Sequence, residues 1–190
     1  SQEQLDLLPQ TPGSVIGTGR DPLTGEDYLR MATVLEEYGI DIVLCTGGNG
    51  TMDTCGKLYQ ACADRGHSIQ VVGVPKTMDN DLAVTDHSPG YGSAARYMAQ
   101  SLQEVCADVE GLPIHVVVVE ALGRNAGWVA AASALAGPPG EGPDLIYLPE
   151  RPFCEEAFLE DVSAILARKT SAVVVCSEGL TGPDGSPVVP

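Results

Sequence analysis

Residues 41–51 read DIVLCTGGNGT, an apolar run that breaks into a glycine-rich turn and closes on a threonine. The run Asp41–Cys45 does not alternate apolar with polar residues, which is the pattern of a parallel strand buried on both faces. The same grammar recurs along the chain. Gly13–Gly17, Gln70–Val74, Ile114–Glu120 and Ala172–Cys176 are short runs dominated by Ile, Leu and Val, and Leu145–Leu148 is a candidate sixth. Helical stripes lie between them: Tyr28, Met31, Ala32, Leu35 and Tyr38; Tyr91, Ala95, Met98, Leu102 and Val105; Phe158, Val162, Ile165 and Leu166. Thr51–Arg65 and Asn125–Ala136 also read as helices, with weaker patterning. Alternating strand and helix predict an α/β sandwich with right-handed crossovers and mainly parallel strands. Gly137–Pro143 reads as an exposed loop. The chain opens on a polar, helix-like stretch, Ser1–Gln10, and stops at Pro190 just after a strand, so the sheet is expected to be incomplete at both ends.

Composition bounds the function. The 190 residues are 44% hydrophobic, enough for a real core, with 22 Gly and 14 Pro for tight turns. The formal net charge is -16, from 26 acidic and 10 basic residues. That balance argues against nucleic-acid or anionic-membrane partners, which need a basic face. It leaves room for a phosphorylated small molecule, which needs only a few placed cations. Cys45, Cys55, Cys62, Cys106, Cys154 and Cys176 form no C-x-x-C pair and read as reduced, mostly buried residues of a cytoplasmic protein. No signal peptide, membrane-length apolar run or internal repeat is visible.

In open parallel sheets, ligands bind beyond the carboxyl ends of the strands. The residues that follow each run are therefore the informative ones. They are Thr18-Gly19-Arg20, then Thr46-Gly47-Gly48-Asn49-Gly50-Thr51, then Pro75-Lys76-Thr77-Met78-Asp79-Asn80-Asp81, then Glu120-Ala121-Leu122-Gly123-Arg124, and finally Ser177-Glu178-Gly179. Three of the chain's ten Lys and Arg fall in these loops. Glycines leading into a helix let backbone N–H groups approach an anion, although a plain strand-to-helix turn uses similar residues. No Gly-Lys-Ser/Thr follows, so this is not a P-loop. Pro75–Asp81 gathers a lysine, a hydroxyl, an amide and two carboxylates, a set suited to phosphoryl transfer. Asp79 is placed to take a proton from an attacking hydroxyl, Lys76 to neutralise phosphate oxygens, and Asp81 to orient a metal or its waters. Arg20 and Arg124 are candidate phosphate clamps or else exposed ion-pair partners. Glu178 is a candidate acceptor for a sugar hydroxyl or else a helix-terminal acid.

Together these loops resemble the phosphofructokinase family. The matching segments also include Thr85-Asp86-His87-Ser88-Pro89-Gly90-Tyr91-Gly92-Ser93-Ala94 and Asn125-Ala126-Gly127-Trp128, in the same order across nearly the whole chain. Pro-Lys-Thr-x-Asp-Asn-Asp is the specific element. The resemblance implies a two-lobed, Rossmann-like three-layer sandwich, with residues 1–90 in the phosphoryl-donor lobe and 91–190 in the fructose 6-phosphate lobe. It implies magnesium-dependent transfer of a phosphoryl group from ATP or pyrophosphate to the 1-hydroxyl of fructose 6-phosphate, in glycolysis. By that likeness Asp79 looks like the proton acceptor, with Lys76 and Thr77 beside it. Thr77 and Asp81 look like substrate-loop residues, and Leu122, Gly123 and Arg124 like the sugar-phosphate segment. Glu178 looks like a sugar-hydroxyl contact, and Arg20 with Gly47, Gly48, Asn49, Gly50 and Thr51 like the donor site. A homo-oligomer, dimer or tetramer, is implied as well.

The sequence departs from the family pattern at three places. Asn49 stands where the family usually has an Asp that serves magnesium, and a neutral amide binds a hard cation less well; Asn49 is the weaker and Asp81 the other metal candidate. Leu122 replaces a common Met. His115 aligns with an Arg that, in familiar ATP-dependent bacterial members, crosses a subunit interface to the sugar phosphate. On the donor, two positions pull apart. Pyrophosphate users usually have Asp at position 50, filling the place of the ATP α-phosphate, so Gly50 favours ATP. Lys76 is the residue of pyrophosphate users and of some ATP users. The expectation is ATP, with pyrophosphate, a catalytically silent sugar-phosphate binder, or a kinase of another substrate as alternatives. With family sequence expected before Ser1 and after Pro190, the piece alone is expected to be poorly active.

Overall fold

The computed structural model describes residues 1–11, 19, 21–138 and 140–188. The predicted strand Gly13–Gly17 and Arg20 lie outside the described residues. The described elements, in order, are α1 (Gln2–Asp6), a 3-10 turn (Leu8–Gln10), α2 (Gly25–Glu37), β1 (Ile42–Gly47), α3 (Asn49–Asp64), β2 (Gln70–Pro75), α4 (Tyr91–Gly111), β3 (Val116–Ala121), α5 (Trp128–Ala132), a 3-10 turn (Ser133–Leu135), β4 (Leu145–Tyr147), α6 (Glu155–Leu166) and β5 (Ala172–Ser177). The predicted helix over 125–136 is shorter than expected: Gly127 delays its start, and its last turn tightens to 3-10. No helix among the described residues is long and apolar enough to cross a membrane.

The chain divides into two compact units. One comprises Ser1–Val43 with Lys57–Gln70, the other Leu44–Gly56 with Val71–Pro190. In the first, α2 is started by a capping box. The Thr24 hydroxyl accepts from the Asp27 N–H, and the Asp27 carboxylate accepts from the Thr24 N–H at 2.8 Å. This satisfies two backbone donors at once and holds the Asp27 carboxyl below its ordinary range. Tyr28 and Ala32 of α2, and Leu58, Ala61 and Cys62 of α3, are buried here. Gly56, two residues before Leu58 in α3 and the last residue of that helix to belong to the second unit, has open space where a Cβ would stand. Gly56→Ala is therefore expected to raise stability by about 0.5–1 kcal/mol, read as a shift in the urea midpoint.

The second unit holds the larger core. β3, β5 and β4 pair in parallel in the order β3-β5-β4, with Val116 opposite Ala172 and Leu145 opposite Val174. Met98, Leu102, Cys106 and Val109 of α4, with Val129 and Ala130 of α5, pack on Val173 and Val175. α6 also packs against β5, so helices cover both faces and β5 is buried along its length. Beside it, Tyr147 meets Phe153 and Phe158 edge to face, and the two phenylalanines are tilted against each other. β1 and β2 pair in a separate two-stranded sheet. The Gln70 N–H donates to Asp41 O and the Lys76 N–H to Gly47 O, both at 2.9 Å and with the same offset, so these strands are also parallel.

Burial on both faces, expected of every run, holds among the described strands only for β5. Along β1 and β3 exposed and half-buried residues alternate, leaving Leu44 68% and Val118 55% exposed. The reason is position in the sheet. β5 is central and roofed on both sides, β4 is half-buried throughout, and among the described residues β1, β2 and β3 are better covered on one face than on the other. Cys55, Cys62 and Cys106 are buried, Cys45 and Cys176 half-buried, and Cys154 is exposed.

Candidate active site

Four of the five sequence loops that carried chemistry lie within the second unit; the fifth, Thr18–Arg20, lies largely outside the described residues. β1 runs straight into α3, which begins at Asn49, two residues earlier than the pattern predicts. The Gly48 carbonyl accepts from the Thr51 and Met52 N–H groups at 3.0 Å. Only one of the three glycines is demanded by packing. A Cβ on Gly47 would collide with the Thr51 side chain, Gly48 lies against the Lys76 carbonyl, and Gly50 has nothing within 4 Å.

The Pro75–Asp81 segment forms an arch pinned at several points. The Lys76 N–H donates to Gly47 O at 2.9 Å and the Thr77 N–H to Pro89 O at 3.1 Å. Thr77 is buried, and its hydroxyl accepts from the Asp79 N–H at 3.1 Å. Asn80 takes a left-handed φ of 56°, which Asn tolerates better than most residues. Its side chain is buried, accepting from the Ser88 N–H at 2.8 Å and donating to Asp86 O at 3.2 Å. At the far end the Asn49 Nδ2 donates to the Asp81 carbonyl at 3.1 Å. The turn thus holds Asp79, half-buried, between braced neighbours. Gly90, at φ 107°, fits close against the Thr77 backbone, where a side chain would be strained.

The third part comes from the carboxyl ends of β3 and β5. The Glu178 N–H continues the ladder to Ala121 O at 2.9 Å. Its carboxylate accepts from the Gly123 N–H at 3.1 Å, and the Ser177 hydroxyl donates to Gly123 O. Gly123 itself sits at φ 133°. Gly179 passes so close to Arg124 that a Cβ there would overlap the Arg124 carbonyl group. The Gly127 N–H donates to the Glu150 carboxylate at 2.8 Å, at the start of α5.

Electrostatics links the arch to β5. The Asp79 carboxyl is pushed above its ordinary value, first by burial, then by the charges of Asp81 and Glu178, with Lys76 opposing. A carboxylate, two like charges and one ammonium therefore share a small volume, the setting in which a general base is tuned upward. The structure thus brings Lys76, Thr77, Asp79, Asp81 and Glu178 together, with Gly47–Thr51 on one side and Leu122–Arg124 on the other. His115 is not brought in. It lies just before β3, at the opposite end of the strand from Leu122–Arg124, and its ring faces Thr170 O at 3.4 Å.

Three braces were missed at the sequence level: Asn80 with Ser88, Ser177 with Gly123, and Glu150 with Gly127. Asn80 alone left a signal, as an Asn inside a turn.

Among the described residues no three His, Cys, Asp or Glu side chains gather as an all-protein cage requires. Magnesium usually keeps waters and substrate phosphates and needs only one or two carboxylates, and Asp81 provides one. The site fits such an ion.

The family model described as phosphofructokinase matches residues 1–188. The chain belongs to the phosphofructokinase family. Among its relatives, a pyrophosphate–fructose 6-phosphate 1-phosphotransferase of Xanthomonas campestris is 43% identical over 194 residues, covering 97% of this chain and 46% of that protein. An ATP-dependent 6-phosphofructokinase of Amycolatopsis methanolica is 35% identical over 170 residues, covering 88% and 36%. Among solved structures, a pyrophosphate-dependent phosphofructokinase from Nitrosospira multiformis superposes with a TM-score of 0.84 at 37% identity, over 98% of this chain and 48% of that one. The chain spans about half the length, or less, of these relatives. The phosphofructokinase fold seen in them is the parallel α/β architecture described above.

Proposed function

We propose that the protein transfers a phosphoryl group from ATP to the 1-hydroxyl of fructose 6-phosphate. The observation that carries this reading is Asp79, held on a braced arch with its basicity raised by Asp81 and Glu178. Asp79 accepts the proton of the attacking hydroxyl, so the oxygen becomes a better nucleophile as it approaches the terminal phosphorus. Lys76 neutralises transferred phosphate oxygens, and Gly47–Thr51 at the start of α3 receives the donor. Glu178 and Leu122–Arg124 orient the sugar phosphate. Asp81 would hold magnesium, which when bound screens the negative charge of the donor phosphates. Residues 1–90 serve the donor and 91–190 the sugar. His115 and Arg20 keep their proposed phosphate contacts, His115 through a second copy in a dimer or tetramer.

A second reading, pyrophosphate as donor, rests on Lys76 and on the donor named for the Xanthomonas and Nitrosospira relatives. The ATP reading rests on the open space at Gly50. The two separate in a coupled assay of the complete gene product with fructose 6-phosphate and magnesium, offering each donor alone. Turnover with ATP supports the first reading, and turnover with pyrophosphate alone replaces it with the second. No turnover with either, while fructose 6-phosphate still binds, marks a silent paralogue. In an ATP-using protein, Gly50→Asp is expected to lower kcat/KM for ATP at least about tenfold, because a carboxylate placed against a phosphate is repelled. A Cβ at 50 meets nothing within 4 Å, so thermal stability serves as the control.

A further inference from the structure

We propose that Asn49 is a positioning residue that fixes the catalytic arch to the donor loop, and that it does so through its amide rather than as a metal ligand. The proposal rests on the reading of Asp79 as the base. Its evidence is the bond from Asn49 Nδ2 to the Asp81 carbonyl, 3.1 Å long and spanning 32 residues of sequence.

The arch 76–81 touches the donor loop at both ends. At its start, Gly47 O accepts from the Lys76 N–H. At its finish, Asn49 donates to Asp81 O. The two anchors are two residues apart, where β1 hands over to α3, a helix of 16 residues. Asp79 stands between the two tied points. A shift of α3 or of the donor loop is therefore carried to the carboxylate that takes the proton. The remaining ties of the arch, from Thr77 and Asn80, run to 86–89 and leave the Asp81 end dependent on the donor side.

The chemistry of the bond decides which residue can make it. A carbonyl accepts and cannot donate, so its partner must carry an N–H or O–H. Asparagine has two such hydrogens, and an ionised aspartate has none. An aspartate at 49 would set a carboxylate against the Asp81 carbonyl and add a negative charge beside a site already holding Asp79, Asp81 and Glu178. The amide is therefore fitted to this arch, and the carboxylate common in the family is not. The feature that reads in the sequence as a weakened metal site reads in the structure as a different device.

The test compares Asn49→Asp and Asn49→Ala with the parent complete gene product. Misplacing a reacting group by about 1 Å can lower rates about 10²-fold, and loss of one tie among several is expected to lower kcat about tenfold. Both variants should show that fall, with KM for fructose 6-phosphate and the magnesium concentration for half-maximal rate within about twofold of the parent. Deuterium exchange of peptides covering 76–86 should accelerate several-fold in both, with the thermal midpoint unchanged. An Asn49→Asp protein that keeps its kcat, or that shifts magnesium half-saturation more than about threefold, overturns the proposal in favour of a metal role. Unchanged exchange over 76–86 overturns it whatever the kinetics. A parent inactive with both donors sinks the functional reading instead, and exchange alone then decides whether the tie exists.

Discussion

Asp79→Asn is expected to lower kcat of the complete gene product about 10²- to 10⁴-fold, the usual contribution of a general base, with little change in KM for fructose 6-phosphate. Asparagine keeps the shape of the side chain and the backbone bond to Thr77, so the arch survives. The same substitution tests the electrostatics. The Asp79 carboxyl titrates above its ordinary 3.8 because burial and the charges of Asp81 and Glu178 disfavour ionisation. The native state therefore holds this proton to higher pH than the unfolded chain does. The resulting stabilisation is fully present below the ordinary value and is lost as pH rises through the raised one. At neutral pH the ionised Asp79 works against the fold, so Asp79→Asn should have a thermal midpoint equal to or above the parent's. In the parent, the acid limb of kcat/KM should fall as pH drops through a value above 3.8. A variant both inactive and less stable at neutral pH would show that Asp79 is a structural brace.

Gly179→Ala is expected to destabilise the protein by about 1–3 kcal/mol, the range for overpacking a filled site, and to lower activity about 10²-fold. The added Cβ would stand 2.6 Å from the Arg124 carbonyl carbon and 2.8 Å from its Cα. Both are backbone atoms and cannot swing aside as a side-chain tip does. Relief must come from moving Gly179, which carries Glu178 away from the Gly123 N–H, or from moving Arg124. Either path disturbs both sugar-side loops together. Gly56→Ala is the matched control, since a Cβ at 56 meets nothing within 4 Å and the residue lies outside the candidate site. Urea melts and steady-state kinetics on the pair separate close packing from the general flexibility of glycine. Equal behaviour of the two variants would refute the packing explanation.

The described strands were legible because their apolar runs are short, uninterrupted and each followed by a polar loop. β4 was visible only as a candidate, for it has three residues. The expectation of two-sided burial failed because an unbroken Val run such as Val116–Val119 looks alike whether one face or both are covered. Neighbours far away in sequence decide that. Among the site residues, Lys76, Thr77, Asp79 and Asp81 announced themselves by density of chemistry in one turn. Asn80 stands in the same turn but its work is hidden, since nothing local shows that its amide reaches Ser88 and Asp86. The role of Glu178 in setting the basicity of Asp79 was equally hidden, because it depends on the carboxyl end of β5 lying near an arch that follows β2.

β5 lies at the centre of the three-stranded sheet, yet it is made after both of the strands it joins. During synthesis β3 and β4 therefore wait with open edges until residues 172–177 leave the ribosome, at about 5–20 residues per second. Pairing across such separations closes slowly. Glu178 arrives with that strand, so its share of the charge that raises the Asp79 carboxyl is the last to be added, after that of the neighbouring Asp81.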